Sequence, residues 1–257
     1  TTACPSDIDS CNGWNPTDIF VRTYEKSKEF TKSYGFRMKT DSENKLTRNT
    51  GFYERTSKLT RNFVDARGFW LPNDYTKHGV INEYNACREK AVLIDLSSLR
   101  KFEILGPDAE ELMNYTLTRN VKKLSVGQIV YSAMCYENGT MFDDGTLLKL
   151  SDHGFRWVCG DEYGGEWLKE QAKKKNYKVH IKNSTDQINN LSLQGPKSRE
   201  ILEKIIFTPP TQPSISELEW FRFSICRLEE LNGIPLIVSR TGYTCLLYTS
   251  DAADEHS

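Results

Sequence analysis

A chain of 257 residues with 38% apolar and 27% charged side chains can bury a substantial core and has the balance of an ordinary globular protein. Its 34 basic and 35 acidic residues leave a net charge of −1, with no basic surplus to grip a phosphate backbone, so no nucleic-acid partner is expected. No window reaches the ~18 consecutive apolar residues of a membrane helix, and Asp7, Asp9, Asp18 and Glu25 interrupt the place where a signal peptide needs an apolar stretch, so neither membrane nor export is expected.

The seven cysteines (Cys4, Cys11, Cys87, Cys135, Cys159, Cys226 and Cys245) are odd in number, scattered, and never spaced as C-x-x-C. That argues against a disulfide framework and a zinc site and points to a reducing cytoplasm. His78, His153 and His180 are far apart in polar contexts, so no metal site is expected. The chain begins at Thr1 without a methionine, which suggests a trimmed or incomplete start.

Residues 1–50 are polar and weakly periodic, with one short helix expected over Ile19 to Phe30, and form an extension of unknown role. The run Lys26, Lys28, Lys32, Arg37, Lys39 is interleaved with acidic residues and reads as solvated surface. Gly51 to Lys77 mixes bulky aromatics with turn residues and reads as an irregular lead-in. Asn82 to Lys90 is a helix, Ala91 to Leu96 and Phe102 to Leu105 are strands, and Gly106-Pro107 is a turn. Asp108 then sits where a carboxylate N-cap would start the next helix.

Val126 to Leu150 organises the rest. Ile129, Tyr131, Ala133 and Cys135 alternate on one side of a strand, Glu137-Asn138-Gly139 supplies a tight turn, and a second apolar run, Thr146 to Leu150, follows Asp143-Asp144-Gly145. Paired carboxylates beside Tyr131 mark this hairpin as the place for chemistry. A strand at Gly154 to Cys159, a helix at Glu162 to Lys175 and a strand at Tyr177 to Lys182 come next. Ile188 onward repeats the earlier design, a strand into Gly195-Pro196 and a helix over Lys197 to Ile206, and I-L-G-P-D-A-E-E-L-M aligns with L-Q-G-P-K-S-R-E-I-L. An internal strand–turn–helix duplication is therefore expected. A last hairpin, Phe221 to Leu231 and Ile234 to Ser239, turns at Asn232-Gly233 and ends at Arg240-Thr241-Gly242-Tyr243-Thr244. The sum is an α+β fold with antiparallel hairpins, not a doubly wound parallel sheet.

The ordered motifs I-D-L-S, I-L-G-P-D-A, T-R-N-V-x-K-L-x-V-G-Q-x-x-Y, N-G-x-x-x-D-D, L-Q-G-P-x-S and S-R-T-G-Y-T resemble the aminomethyltransferase family. That family includes the T-protein of the glycine cleavage system and folate-dependent demethylases. The resemblance spans Gly51 to Thr244. It implies a tetrahydrofolate-binding N-terminal region with ferredoxin-like elements, followed in the family by a C-terminal barrel that this chain lacks. By position, Asp144 is similar to the carboxylate beside the folate pterin that assists one-carbon transfer, and Tyr131 and Tyr243 match pterin-pocket tyrosines. Asp143, facing the other way on an extended segment, is assigned a turn or capping role. Arg240 is a candidate partner for the folate glutamate tail, or else a surface charge.

The resemblance implies a tetrahydrofolate-dependent aminomethyl or methyl transferase, with a small methylated amine or sulfonium, or a lipoyl carrier protein, as donor. The D-D-G-T here departs from the D-D-L typical of the glycine cleavage T-protein, which weakens the lipoyl carrier as partner. The alternative is a non-catalytic folate-binding protein of the same fold; its relatives' K-G-C-Y-x-G-Q signature is missing. The family's continuation G-E-x-G-x-E is also missing after Thr244. Cys245 to Ser257 instead resembles one reading frame of a sequencing adapter, so it is expected to be non-native, with residues 51–244 an incomplete folate-binding domain.

Overall fold

A computed structural model describes residues 47–242 of the chain. The expected helix at 19–30, Tyr243, Thr244 and the 245–257 tail lie outside the described residues. The core is built on a five-stranded, wholly antiparallel sheet of β5 (Arg100–Leu105), β6 (Ile129–Cys135), β7 (Met141–Ser151), β8 (Gly154–Cys159) and β9 (His180–Asn183), in the order β6-β7-β8-β5-β9. Helices α3 (Ala109–Thr116) and α4 (Tyr163–Lys175) connect its strands and pack on one face. The sequence β5-α3-β7-β8-α4-β9 with spatial order β9-β5-β8-β7 is a ferredoxin-like unit, to which β6 adds an edge strand.

The reason for that layering is legible in the alternation of side chains. Phe102 and Ile104 of β5, Leu147 of β7 and Phe155 and Trp157 of β8 point to the helical side. There they meet Ala109, Leu112 and Met113 of α3 and Leu168 of α4, and most of this cluster is fully buried. Each such side chain contributes roughly 1.5–3 kcal/mol on burial. Gly165 is forced by the packing, since a Cβ there would lie 2.2 Å from the Phe102 ring. The helix α4 ends at Asn176 in the left-handed conformation (φ 56°), after Lys173 to Lys175.

Three smaller sheets surround this unit. A two-stranded antiparallel sheet joins β4 (Val92–Asp95) to β10 (Leu191–Gln194), flanked in sequence by α2 (Gly79–Glu89) and α5 (Ser198–Ile205). The strands β11 (Ile206–Phe207), β12 (Phe223–Leu228) and β13 (Pro235–Ser239) form a third sheet. The N-terminal part holds β1 (Arg48–Asn49), α1 (Tyr53–Thr56), β2 (Phe63–Ala66) and β3 (Phe69–Pro72), in the order β1-β3-β2.

Three expectations are corrected. The lead-in of 51–77 is not irregular: it contains the β2–β3 hairpin, whose turn residues Arg67 (φ 56°) and Gly68 (φ 79°) are both left-handed, with the Gly68 N–H bonded to Asp65 Oδ1 at 2.9 Å. The second strand of the central hairpin does not start at Thr146; it is continuous from Met141. Asp108 occupies the cap position of α3, but its carboxylate accepts the Lys178 N–H (2.7 Å) instead of a helix N–H. The cause is the close approach at Gly106, where a Cβ would stand 2.5 Å from the Lys178 carbonyl, so the segment leading into β9 lies against the turn.

Candidate functional site

The site grows from the β6–β7 ladder. Tyr131 pairs with Thr146 and Ala133 with Asp144, so directly opposed residues put Tyr131, Ala133, Asp144 and Thr146 on one face, the one opposite α3 and α4. The Tyr131 hydroxyl donates a hydrogen bond to Asp144 Oδ2, a diagonal cross-strand contact. Tyr131 is 43% exposed, so it is no core aromatic; it stands over the open face with its hydroxyl fixed on the carboxylate.

A one-residue bulge decides which carboxylate faces this way. Cys135 pairs with Met141 but Met134 with Asp143, so Phe142 is the extra residue. In an unbulged ladder continued from Cys135–Met141, Ala133 would oppose Asp143, and Asp143 would share the face of Tyr131. The bulge is anchored: Phe142 packs with Tyr136, Tyr163 and Trp167 at ring-centroid distances of 4.6, 5.5 and 5.6 Å.

Asp143 accordingly does different work. It is buried on the helical side, and its oxygens accept the N–H groups of Asp144 (2.9 Å), Gly160 (3.3 Å) and Asp161 (3.1 Å), clamping the turn from β8 into α4. Burial first, and then the Asp143 charge, push the thiol of neighbouring Cys159 well above its ordinary value, so Cys159 is an inert core group. Gly145 follows because β7 runs too close to β8 for a side chain: a Cβ would lie 2.2 Å from the Val158 carbonyl and 3.0 Å from the Trp157 ring.

Toward its other end the open face becomes apolar and closed. Ile129 and Leu148 are a cross-strand pair buried beneath Phe223, with Phe221, Val158 and Ile237 around them. The β12–β13 hairpin is held there by backbone bonds from Ile129 N–H to Phe221 O (2.8 Å) and from Phe223 N–H to Gly127 O (3.0 Å). The result is an open tyrosine–carboxylate pair beside a closed apolar floor, whose Ile129, Leu148 and Phe223 side chains are buried. Such a surface suits an N–H-bearing group that can donate to Asp144 at the edge of the floor.

Of the residues singled out from sequence, Tyr131 and Asp144 are brought together. Arg240 follows β13, with its backbone bonded to Phe221 and Arg222 and its guanidinium donating to the Leu218 carbonyl at 3.2 Å, so it belongs to the hairpin that closes the floor. Tyr243 lies outside the described residues. Among the described residues no group of three or more His, Cys, Asp or Glu could hold a metal, and no helix is long and apolar enough to cross a membrane. Cys87, Cys135, Cys159 and Cys226 are free thiols.

Sequence reasoning missed a buried cation on the same face. Lys101 lies in one row with Val158, Thr146 and Tyr131, three strands and so roughly 14 Å from the tyrosine. It is 2% exposed, and its ammonium donates to the carbonyls of Ser97 (3.0 Å) and Leu99 (2.8 Å). Burial, followed by the nearby Arg100 charge, lowers it to about 8. Beside it the Glu103–Arg156 ion pair (2.7 Å) is braced by Ser184 Oγ donating to Glu103 at 2.9 Å. The strand R-K-F-E-I-L gave no advance signal, because Lys101 and Glu103 alternate with Phe102 and Ile104 and read as an ordinary solvated face.

The chain is similar to several known proteins. The GCVT N-terminal domain family model matches residues 52–247. A trimethylamine-oxide aldolase from Ruegeria pomeroyi is 51% identical over 95% of this chain, which takes in most of residues 1–50, but the match spans 31% of that protein. Aminomethyltransferases from Symbiobacterium thermophilum and Alkaliphilus metalliredigens are each 34% identical, over 78% and 70% of the chain and 53% and 47% of their own lengths. The chain thus spans a third to a half of the relatives it matches. The glycine cleavage system aminomethyltransferase T from Bartonella henselae has the same fold, with a TM-score of 0.63 at 22% identity over 81% of this chain and 56% of that one. With three quarters of its length matched by the family model and its fold shared with aminomethyltransferase T, the chain belongs to the GCVT N-terminal domain family.

Proposed function

We propose that this chain is the tetrahydrofolate-binding part of an enzyme that passes a one-carbon unit between a small methylated amine and the folate. The observation that carries the proposal is the Tyr131–Asp144 pair on the open face of the sheet, next to the apolar floor of Ile129, Leu148 and Phe223. A pterin ring carries N–H donors along one edge, so an exposed carboxylate held in a fixed orientation is the group it needs there.

Tetrahydrofolate supplies a secondary amine, N5, as the nucleophile when bound. Asp144 stands where it can hold the ring's N–H groups and accept the proton that leaves as the new carbon–nitrogen bond forms. Tyr131 fixes the orientation of that carboxylate. Tyr243 remains a candidate for the pterin pocket and Arg240 for the folate glutamate tail.

A small amine donor is favoured over a lipoyl carrier protein because the relative at 51% identity is a trimethylamine-oxide aldolase, whereas the aminomethyltransferases stand at 34%. The test is a turnover screen in which the polypeptide, extended to the length of its relatives, is supplied with tetrahydrofolate and methylated amines or amine oxides. Formation of a one-carbon folate that depends on both reactants supports the reading. Folate binding with no transfer from any donor supports the non-catalytic alternative, and no folate binding sinks both.

A further inference from the structure

On the helical side of the sheet, away from Tyr131 and Asp144, helix α4 and the tip of the β6–β7 hairpin leave an open cavity of about 560 Å³ between them. Trp167, Glu170, Gln171 and Lys174 line it at i, i+3, i+4 and i+7, so a single stripe of α4 faces the hairpin. Tyr136 and Glu137 line it from the hairpin.

Two rings form an apolar corner of this cavity. Tyr136 and Trp167 stand edge to face, with centroids 5.5 Å apart and planes at 85°, so two aromatic walls meet there nearly at right angles. Both pack on Phe142, at 4.6 and 5.6 Å, which holds the corner in place before anything binds. Among the described residues no lysine or arginine stands over either ring, whereas Phe69, Tyr115 and Phe155 each have one.

Charge sets the sign of the occupant. Lys174 and Glu137 form an ion pair with each other, so their charges offset. Glu166, on another side of α4, pairs with Lys169 at 2.9 Å, but Glu170 is in no ion pair among the described residues and leaves the cavity with a net negative charge. The residue that turns this surface into a site is Gln171. It is 4% exposed, its amide makes no hydrogen bond to another described residue, and its Oε1 is buried without a partner. A buried amide without a partner is costly, and an apolar side chain of the same length would fill the position without that cost.

We propose that this cavity binds a small alkylammonium ion carrying at least one N–H. The ammonium donates to the Glu170 carboxylate and to Gln171 Oε1, with the Gln171 amide turning its oxygen to meet it. The carbon chain lies in the Tyr136–Trp167 corner, where the positive charge also meets the ring faces. The Glu170 charge repels an anion, and a quaternary ammonium has no N–H to give the Gln171 oxygen. The site shares no residue with the Tyr131–Asp144 pair, so it stands or falls independently of the folate reading.

The test titrates the 257-residue chain with n-butylammonium chloride at constant ionic strength and follows the indole N–H resonance of Trp167, assigned through Trp167→Phe. A saturable shift is expected, with tetramethylammonium and n-butanol each binding at least ~5-fold more weakly. Gln171→Met should weaken n-butylammonium by at least ~5-fold with a Tm equal to or above the parent's, and Glu170→Gln should weaken it by ~10-fold or more. Glu166→Gln removes a charge from the same helix outside the cavity and should bind like the parent. Absence of a saturable shift overturns the proposal, and so does an equal loss in Glu166→Gln, which would mean diffuse charge attraction. Parent-like binding in Gln171→Met, or tetramethylammonium binding as tightly as n-butylammonium, overturns it too, because the amide would then not be the acceptor.

Discussion

Replacing Gly145 by alanine adds one methyl at the tightest point between β7 and β8. The new Cβ would stand 2.2 Å from the Val158 carbonyl, about 0.8 Å inside the 3.0 Å limit of real contacts, with the Trp157 ring at 3.0 Å on the same side. Neither neighbour can yield cheaply, since one is ladder backbone and the other a fully buried indole. Overpacking of this kind costs about 1–3 kcal/mol. In a domain of this size that lowers Tm by roughly 2–12 °C. Thermal unfolding followed by circular dichroism reads the effect, with Gly139→Ala as comparison: Gly139 has a positive φ of 83° but open space around it, so only backbone strain of about 1 kcal/mol is expected there. A Gly145→Ala protein melting within 1 °C of the parent would refute the argument that this glycine is set by the spacing of β7 and β8.

Three further outcomes follow from the same geometry. Asp143→Ala frees the N–H groups of Gly160 and Asp161 and should lower stability by about 2–4 kcal/mol in denaturant titration, while the Cys159 thiol becomes easier to ionise and faster to react with a thiol reagent. Lys101 is depressed from 10.5 to about 8 in the folded state, so between those values the unfolded chain binds more protons and stability should rise with pH. Lys101→Met should flatten unfolding free energy against pH over that window; an unchanged slope would contradict the assignment. Tyr131→Phe leaves the ladder intact but releases Asp144, and is expected to weaken tetrahydrofolate binding about 3- to 10-fold with little change in Tm, read by fluorescence titration.

The parts of the fold that rest on local chemistry were legible in the chain. Alternation and Asn-Gly turns gave both long hairpins, and the Gly-Pro repeats gave the duplicated strand–turn–helix units because each glycine sits at a positive φ against a neighbouring backbone. What escaped was set by contacts between distant segments. The β2–β3 hairpin turns on Arg67, a residue with no local preference for a left-handed turn, held by Asp65 and by Arg100 donating to its carbonyl at 2.8 Å. The cap at Asp108 was diverted by Lys178, seventy residues later. The site shows the same division. The residues Tyr131 and Asp144 could be named from their motifs, but the reason that Asp144 and not Asp143 faces the tyrosine is the bulge at Phe142, fixed by an aromatic cluster whose members Tyr163 and Trp167 come from α4. The apolar floor could not be foreseen at all, because it is shared between the central hairpin and Phe221 and Phe223 some ninety residues downstream.

The central claim is that the Asp144 carboxylate, presented by the bulged strand and held by Tyr131, is the group that receives the folate ring. Calorimetric titration of tetrahydrofolate into Asp144→Asn, beside Asp143→Asn and the parent, tests it most directly. Loss of a charge-assisted bond predicts binding weaker by about 10- to 100-fold for Asp144→Asn at unchanged Tm. Asp143→Asn should lose stability and keep its affinity. Parent-like affinity in Asp144→Asn, or the larger affinity loss in Asp143→Asn, would contradict the account.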